Sequence, residues 1–107
     1  MKQEFQYHHL GIPTKNKIAG EKYYQELKFY HCGYEESEFG IEWMRFEDDC
    51  PLPEIVKTIP HVAFRVKNLL DSIKGKKVII EPNSPSSGIF VAFIEENGAP
   101  IELLEEK

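Results

Sequence analysis

The fold of this chain is indicated by a segment that occurs twice. Residues 7–12 read YHHLGI and residues 59–64 read IPHVAF, so each copy places a histidine just before a short run of small and apolar residues. Residues 40–46 (GIEWMRF) resemble residues 88–94 (GIFVAFI) in the same way. Matches of this kind indicate an internal duplication, in which each copy forms one structural unit.

Outward from the second copy, the residue pattern predicts one strand, one helix and three more strands. Runs of aromatic and β-branched residues predict the strands, at residues 60–66, 78–81, 89–94 and 101–104. Asn68 can cap a helix over 68–74, and a Pro/Ser loop is expected at 82–88. Asn97 and Gly98 predict a type I′ turn between the last two strands.

Outward from the first copy, the same order recurs in a shorter form. Strands are predicted at residues 5–13, 29–32 and 41–46. Ala19, Tyr23 and Leu27 recur every four positions, and this spacing predicts a helix over 16–28. The first unit therefore follows the order of the second in a truncated form, with three predicted strands against four.

A stretch rich in proline and acidic residues separates the two units. It predicts a linker at about residues 51–58. The first module then covers about 1–50 and the second about 59–107, and both belong to one domain. A pseudo-twofold axis should relate the two modules, and one continuous sheet would argue against that arrangement.

Composition and charge exclude several classes of function. The 107 residues include 18 acidic and 13 basic side chains, a formal charge of −5, and such a surface repels nucleic acid. No apolar run is long enough to cross a bilayer, and residues 1–4 lack the apolar stretch of an export signal. With only Cys32 and Cys50, a disulfide framework is not expected. We therefore expect a cytoplasmic protein whose partner is a small molecule.

Alternation along the predicted strands places several polar side chains on the face that does not pack. His9 shares that face with Gly11, whereas the neighbouring His8 faces the packing side. His61 and Glu102 likewise lie opposite the apolar side chains of their strands. A single histidine at a strand start is most often structural, but the repetition favours a metal site. Imidazole and carboxylate ligands together suit Zn, Ni, Co, Fe or Mn.

These features resemble the vicinal-oxygen-chelate superfamily, which includes glyoxalase I, epimerases, extradiol dioxygenases and bleomycin-resistance proteins. The resemblance rests on HLGI at 9–12, HVAFRV at 61–66 and the segment 90–104. It implies an α+β fold in which two βαβββ modules, the first of them truncated, form a cupped mixed sheet. Carried over by position, it also implies one divalent metal ion with four ligands: His9, Glu42, His61 and Glu102.

The carboxylate ligand of the first module leaves two choices open. Glu54 and Glu102 lie at the same distance after the glycine that opens each matched segment. Glu54, however, lies so close to His61 that the chain could barely leave one sheet and begin the next. We therefore favour Glu42, with Glu54 as the alternative.

Three functions from different classes fit this set of residues. The resemblance favours a metal-dependent isomerase or lyase of glyoxalase or epimerase type, in which Glu102 or Glu42 removes a proton beside a carbonyl of a small oxygenated substrate. One alternative is a metal-free protein that sequesters a small molecule, as bleomycin-resistance proteins do. The other is an iron-dependent dioxygenase of extradiol type.

Further expectations concern the substrate and the assembly. Glyoxalase I has an arginine at the position of Pro13, and Arg65 occupies the repeat-related position, where it can bind an anionic group of the substrate. His31 and Cys32 have no matched partner in the repeat and are interpreted as structural. A homodimer is expected, because family members commonly pair the apolar edges of their sheets.

Overall fold

The computed structural model describes residues 5–107, which form eight strands and two short helices. The strands are Gln6–Pro13 (β1), Lys22–Tyr24 (β2), Phe29–Cys32 (β3), Ile41–Phe46 (β4), His61–Arg65 (β5), Lys77–Ser86 (β6), Ile89–Glu96 (β7) and Ala99–Glu106 (β8). The helices are Glu54–Thr58 (α1) and Leu69–Ser72 (α2). Neither described helix is long enough to cross a membrane.

All eight strands join in one mixed sheet, in the order β2-β3-β4-β1-β5-β8-β7-β6. Within each half the first strand lies parallel to the last, β1 beside β4 and β5 beside β8. The other neighbours are antiparallel, including β1 and β5, which join the two halves. Read outward from the β1–β5 pair, the strand order is therefore the same in both directions.

The sheet curls, as is shown by one cavity that strands from both of its edges line. Tyr24 of β2 and Ile80 of β6 both contribute to that lining. The expected α+β class with a curled mixed sheet is confirmed. The expectation that the modules would not share one continuous sheet is wrong, because β1 and β5 pair along residues 6–11 and join the halves.

The helix predicted over 16–28 is wrong, since β2 and a tight turn occupy this segment. Gly20 has a φ of 88°, which would interrupt a helix there. Tyr23 pairs with Tyr30 across the antiparallel β2–β3 hairpin, and their ring centroids are 4.6 Å apart. Aromatic pairing between strands, which depends on the fold, thus overrides the helical spacing.

The second half follows the predicted order more closely. Asn68 caps α2, and its side chain accepts a hydrogen bond of 2.9 Å from the backbone N–H of Asp71. Asn97 and Gly98 have φ values of 48° and 86°, as a type I′ turn between β7 and β8 requires. Capping and turn chemistry therefore give correct local predictions in this half.

The Pro/Ser loop predicted at 82–88 is largely wrong, because β6 continues to Ser86. Pro82 and Pro85 are tolerated because β6 is an edge strand, where a missing backbone N–H breaks no inner ladder. The register with β7 shifts several times along this strand, which bends it. The bent strand carries Asn83 and Ser86 to the cavity.

The apolar core of the second half lies between the sheet and α2. Its buried members are Val66, Leu69, Ala92, Ile94 and Leu103. Because successive side chains of a strand point to opposite faces, the residues between them point the other way. Phe93 and Glu102 therefore belong to the concave face, where the cavity lies.

Candidate metal centre

The four side chains implied as metal ligands lie on the four central strands of the sheet. They are His9 on β1, Glu42 on β4, His61 on β5 and Glu102 on β8. Each half contributes a histidine from its first strand and a glutamate from its last. Strand register brings them together, since Gly11 lies opposite Glu42 on one side and opposite His61 on the other.

Three of these side chains form a compact group of donor atoms, which we call the His-His-Glu group (His9, His61 and Glu102). His9 Nε2 lies 3.3 Å from Glu102 Oε1, and His61 Nε2 lies 3.1 Å from the same oxygen. One ligand atom from each residue lies within 4.8 Å of the other two. Both histidines are buried, so the group is largely shielded from bulk water.

Glu42 lies at the edge of the His-His-Glu group. Its Oε1 is 3.6 Å from His9 Nε2, and its Oε2 is 3.3 Å from His31 Nδ1. Glu54, the alternative, is the first residue of α1, where its side chain is 80% exposed and lies 3.8 Å from Lys57 Nζ. The structure brings Glu42 to the group and leaves Glu54 at the surface.

The charges within the group depend strongly on one another. Burial raises the pKa of Glu102, but hydrogen bonds from His61 and His9 outweigh this effect and lower that pKa to about 2. Burial lowers the pKa of His9, but the hydrogen bond to Glu102 and the charges of Glu102 and Glu42 leave it raised. The carboxylates therefore attract positive charge to the site, which a proton or a cation can supply.

His61 is held in place by packing. A β-carbon on Gly11 would stand 2.2 Å from His61 Cε1, so only glycine permits the close approach of this ring. The rings of His61 and Phe93 meet edge to face, with centroids 5.0 Å apart. His61 is only 1% exposed, although its face of the strand was expected not to pack. Its buried Nδ1 has no hydrogen-bond partner within residues 5–107.

His9 is held by a hydrogen bond instead. The Nδ1 atoms of His8 and His9 lie 2.8 Å apart, and the ring of His8 stacks on that of Tyr34 with planes 6° apart. A bulge in β1 shifts the register between Tyr7 and His9, so His8 does not face the packing side as expected. Burial lowers the pKa of His8, and the neighbouring His9 lowers it further. A neutral His8 can accept the Nδ1 proton that a metal-ligating His9 carries.

His31 is a second residue whose part in the site the sequence patterns do not reveal. On β3 it lies opposite Met44 of β4, and from there its Nδ1 reaches Glu42. Alternation with Phe29 could have placed His31 on the cavity face. Only the pairing of β3 with β4, however, shows that it contacts Glu42.

A cavity of about 420 Å³ adjoins the His-His-Glu group. Its lining includes His9, Glu42 and Glu102 together with apolar side chains from both halves. Arg65 is not part of this lining: its Nε donates to Glu106 Oε1 in a separate surface groove. The structure therefore does not bring the candidate anion-binding residue to the cavity.

Two separations within the His-His-Glu group match those between the ligand atoms of a divalent ion. Ligand atoms that surround an ion at about 2.1 Å lie roughly 3.0–3.4 Å from one another in tetrahedral and octahedral shells. The separations of 3.1 Å and 3.3 Å at Glu102 Oε1 agree with this spacing, and the 3.6 Å between Glu42 and His9 is slightly wider. The donor types suit Zn, Ni, Co, Fe or Mn.

No model of a protein family and no curated protein matches this chain. The functional interpretation therefore rests on the side chains of the site. The four implied ligands come from equivalent strands of the two halves.

Proposed function

We propose that the chain binds one divalent metal ion and acts as a metal-dependent isomerase or lyase of glyoxalase or epimerase type. The observation that carries the proposal is the convergence of His9, His61 and Glu102 beside a cavity, with Glu42 at its edge. Buried imidazoles and carboxylates need partners that compensate their lost hydration, and a divalent ion is such a partner.

The strand arrangement supports an assignment to the vicinal-oxygen-chelate superfamily. In that superfamily, the metal takes its ligands from the first and last strands of two paired modules. Here β1 and β4 supply one histidine and one glutamate, and β5 and β8 supply the other two. The first half would be the truncated module, since strand β2 and a turn replace its helix.

Different side chains of the site can bind the metal, balance its charge and remove the proton. A divalent ion bound there supplies a Lewis acid, which stabilises negative charge on a carbonyl oxygen while a neighbouring proton is removed. His9 and His61 would hold it through Nε2, because these atoms face Glu102. Glu102, ionised by its two histidine contacts, balances the charge of the site and keeps a fixed position.

Of the two carboxylates, we assign the general base to Glu42. It lines the cavity, and its side chain is 20% exposed against 12% for Glu102. Its contacts with His31 and His9, at 3.3 Å and 3.6 Å, are long enough to let it turn toward a substrate. His31 would keep the carboxylate directed at the cavity between turnovers.

One observation favours a second candidate function. Two histidines and one carboxylate, the composition of the His-His-Glu group, also form the ligand set of many non-haem iron oxygenases. With Glu42 outside the ligand shell, the protein would be an iron-dependent dioxygenase of extradiol type. Oxygen uptake with catechol and Fe(II) that survives Glu42→Gln would favour this candidate over the first.

Metal analysis and a proton-exchange screen test the leading proposal. Protein purified without chelator should contain close to one transition-metal ion per chain. It should also exchange the proton beside the carbonyl of a 2-keto or 2-hydroxy compound in heavy water. Glu42→Gln should abolish this exchange, whereas the matched control Glu54→Gln should not. A chain without metal or exchange would instead be a protein that sequesters a small molecule.

We also propose that the chain forms a homodimer in the cytoplasm. Cys32 and Cys50 are both free, as is usual in a reducing compartment. Tyr7 and Phe39 are 50% and 70% exposed and adjoin each other, which leaves apolar surface that a second copy would cover. Light scattering at micromolar concentration should give twice the 12.4 kDa of the chain. The mass of a monomer would contradict this part of the proposal.

A further inference from the structure

The cavity beside the His-His-Glu group has a lining with few cationic groups. Among the described residues, neither lysine nor arginine contributes to its lining. The imidazole and carboxylate side chains that do contribute are two histidines and two glutamates, His9, His31, Glu42 and Glu102. The charge that the protein brings to this space is therefore concentrated at one place, where two carboxylates face two imidazoles.

Three cations on the neighbouring elements are engaged elsewhere. Arg45 of β4 forms a two-pronged ion pair with Glu21, with both nitrogen–oxygen distances at 2.8 Å. Arg65 of β5 donates to Glu106, and Lys57 of α1 donates to a backbone carbonyl at 3.1 Å. Each of these three side chains would have to break its present contact to reach a ligand in the cavity.

The remainder of the lining is mainly apolar. It includes side chains from both halves and from α1, among them Leu27, Phe29, Met44, Val56, Ile89 and Val91. An apolar group gains free energy when it leaves water for such a surface. An anionic group placed against this apolar part of the lining would lose its hydration without gaining a lysine or arginine partner among the described residues. The cavity therefore discriminates by charge as well as by size.

We propose that the ligand of this cavity is an uncharged compound with an aromatic or branched aliphatic body, whose oxygen atoms are confined to the end that meets the His-His-Glu group. The placement of the ligand's oxygen atoms at the His-His-Glu group rests on the proposed function, whereas the preference for an uncharged body rests on the lining alone. A volume of about 420 Å³ suits a small organic molecule. The inference excludes a carboxylate or phosphate tail, and with it the anion-binding role expected for Arg65.

Two fluorescent probes test the charge preference without any metal. N-phenyl-1-naphthylamine is uncharged, and 1-anilinonaphthalene-8-sulfonate differs from it by one sulfonate group. We expect the uncharged probe to bind at least about tenfold more tightly, because the sulfonate would be buried without a cation. Equal or tighter binding of the sulfonate would overturn the proposal.

A charge introduced into the lining should reverse the preference. Leu27→Arg should tighten binding of the sulfonate by about tenfold and weaken binding of the uncharged probe. Leu70→Arg, at a position of α2 that is 64% exposed, is the matched control and should change neither. Ser86→Arg, at an exposed position of the same lining, takes the place of Leu27→Arg if that variant does not fold. Variants of the lining that leave both probes unchanged would overturn the proposal.

Hydroxamates test the oxygen end, because they chelate divalent ions through two adjacent oxygens. Zinc-loaded protein should bind benzohydroxamic acid about tenfold more tightly than 4-carboxybenzohydroxamic acid, and metal-free protein should bind both more weakly. Equal affinity for the two compounds would overturn the preference for an uncharged body and leave metal binding intact. If zinc has no effect while the naphthyl probes still differ, the metal function fails and the preference for an uncharged body stands.

Discussion

The two halves of the molecule hold their histidines by different means. In the first half, His9 has the imidazole of His8 hydrogen-bonded behind it. In the second half, His61 Nδ1 has no such partner among residues 5–107, and the ring is fixed between Gly11 and Phe93. A ring fixed by packing depends on the volume of every neighbour, whereas a hydrogen-bonded ring depends mainly on one partner. The two halves should therefore respond to different substitutions.

The largest effects should follow removal of either imidazole. His61→Ala and His9→Ala should each lower metal affinity by about a hundredfold or more, beyond the effect typical of lost outer-shell partners. The two variants should differ in the free energy of unfolding of the metal-free protein. His61→Ala, which leaves a cavity, should lose about 2–4 kcal/mol, and His9→Ala should lose about 1 kcal/mol. Metal titration and urea unfolding measure the two quantities. Equal losses of stability would show that the two histidines are held in the same way.

Gly11→Ala tests the packing of the second half directly. The new methyl group would overlap the ring of His61, which has no free space to enter, so we expect a loss of about 1–3 kcal/mol in stability. Metal affinity should fall by about tenfold as the ring is displaced. Ala63→Gly, at the matched position of β5, is the control for metal affinity and should leave it nearly unchanged. Unaltered metal affinity in Gly11→Ala would show that His61 is not held by this contact.

His8→Phe tests the hydrogen bond of the first half. Phenylalanine keeps the ring that stacks on Tyr34 and removes the nitrogen that faces His9. Metal affinity should fall by about tenfold, with a change in stability below about 1 kcal/mol. Tyr34→Phe, which loses a hydroxyl 3.5 Å from His8 Nε2, is the matched control and should have a smaller effect on metal affinity. The same affinity in His8→Phe as in the wild type would remove the difference between the halves.

The smallest effect concerns Glu102, which contacts the histidines of both halves. Its pKa is lowered, so its contribution to stability is present above the unfolded value near 4.5 and is lost as the pH falls toward about 2. The pKa of His9 is raised, so its contribution is present below 6.5 and is lost as the pH rises through the folded value.

Metal-free protein should therefore be most stable between about pH 4.5 and 6.5 and should lose stability on either side of this range. Urea unfolding across this range measures the profile. Glu102→Gln should flatten it, and an unchanged profile in that variant would show that Glu102 does not couple the halves.

The strand pattern and the repeated histidines could be predicted from the sequence. Alternation depends on local residue order, so the faces of His9, His61 and Glu102 could be read from it. The contacts of His8 and His31 could not, because one depends on a bulge and the other on which strands are neighbours. The same dependence on tertiary pairing explains the failed helix over 16–28.

The antiparallel pairing of β1 with β5 has a kinetic consequence. His9 and Glu102 lie near opposite ends of the chain, and they meet only when this pairing has closed. Contacts between residues so distant in sequence form slowly, because a long loop must be ordered first. We expect the site to form late in folding. An ion bound across it should slow the unfolding step in which β1 and β5 separate.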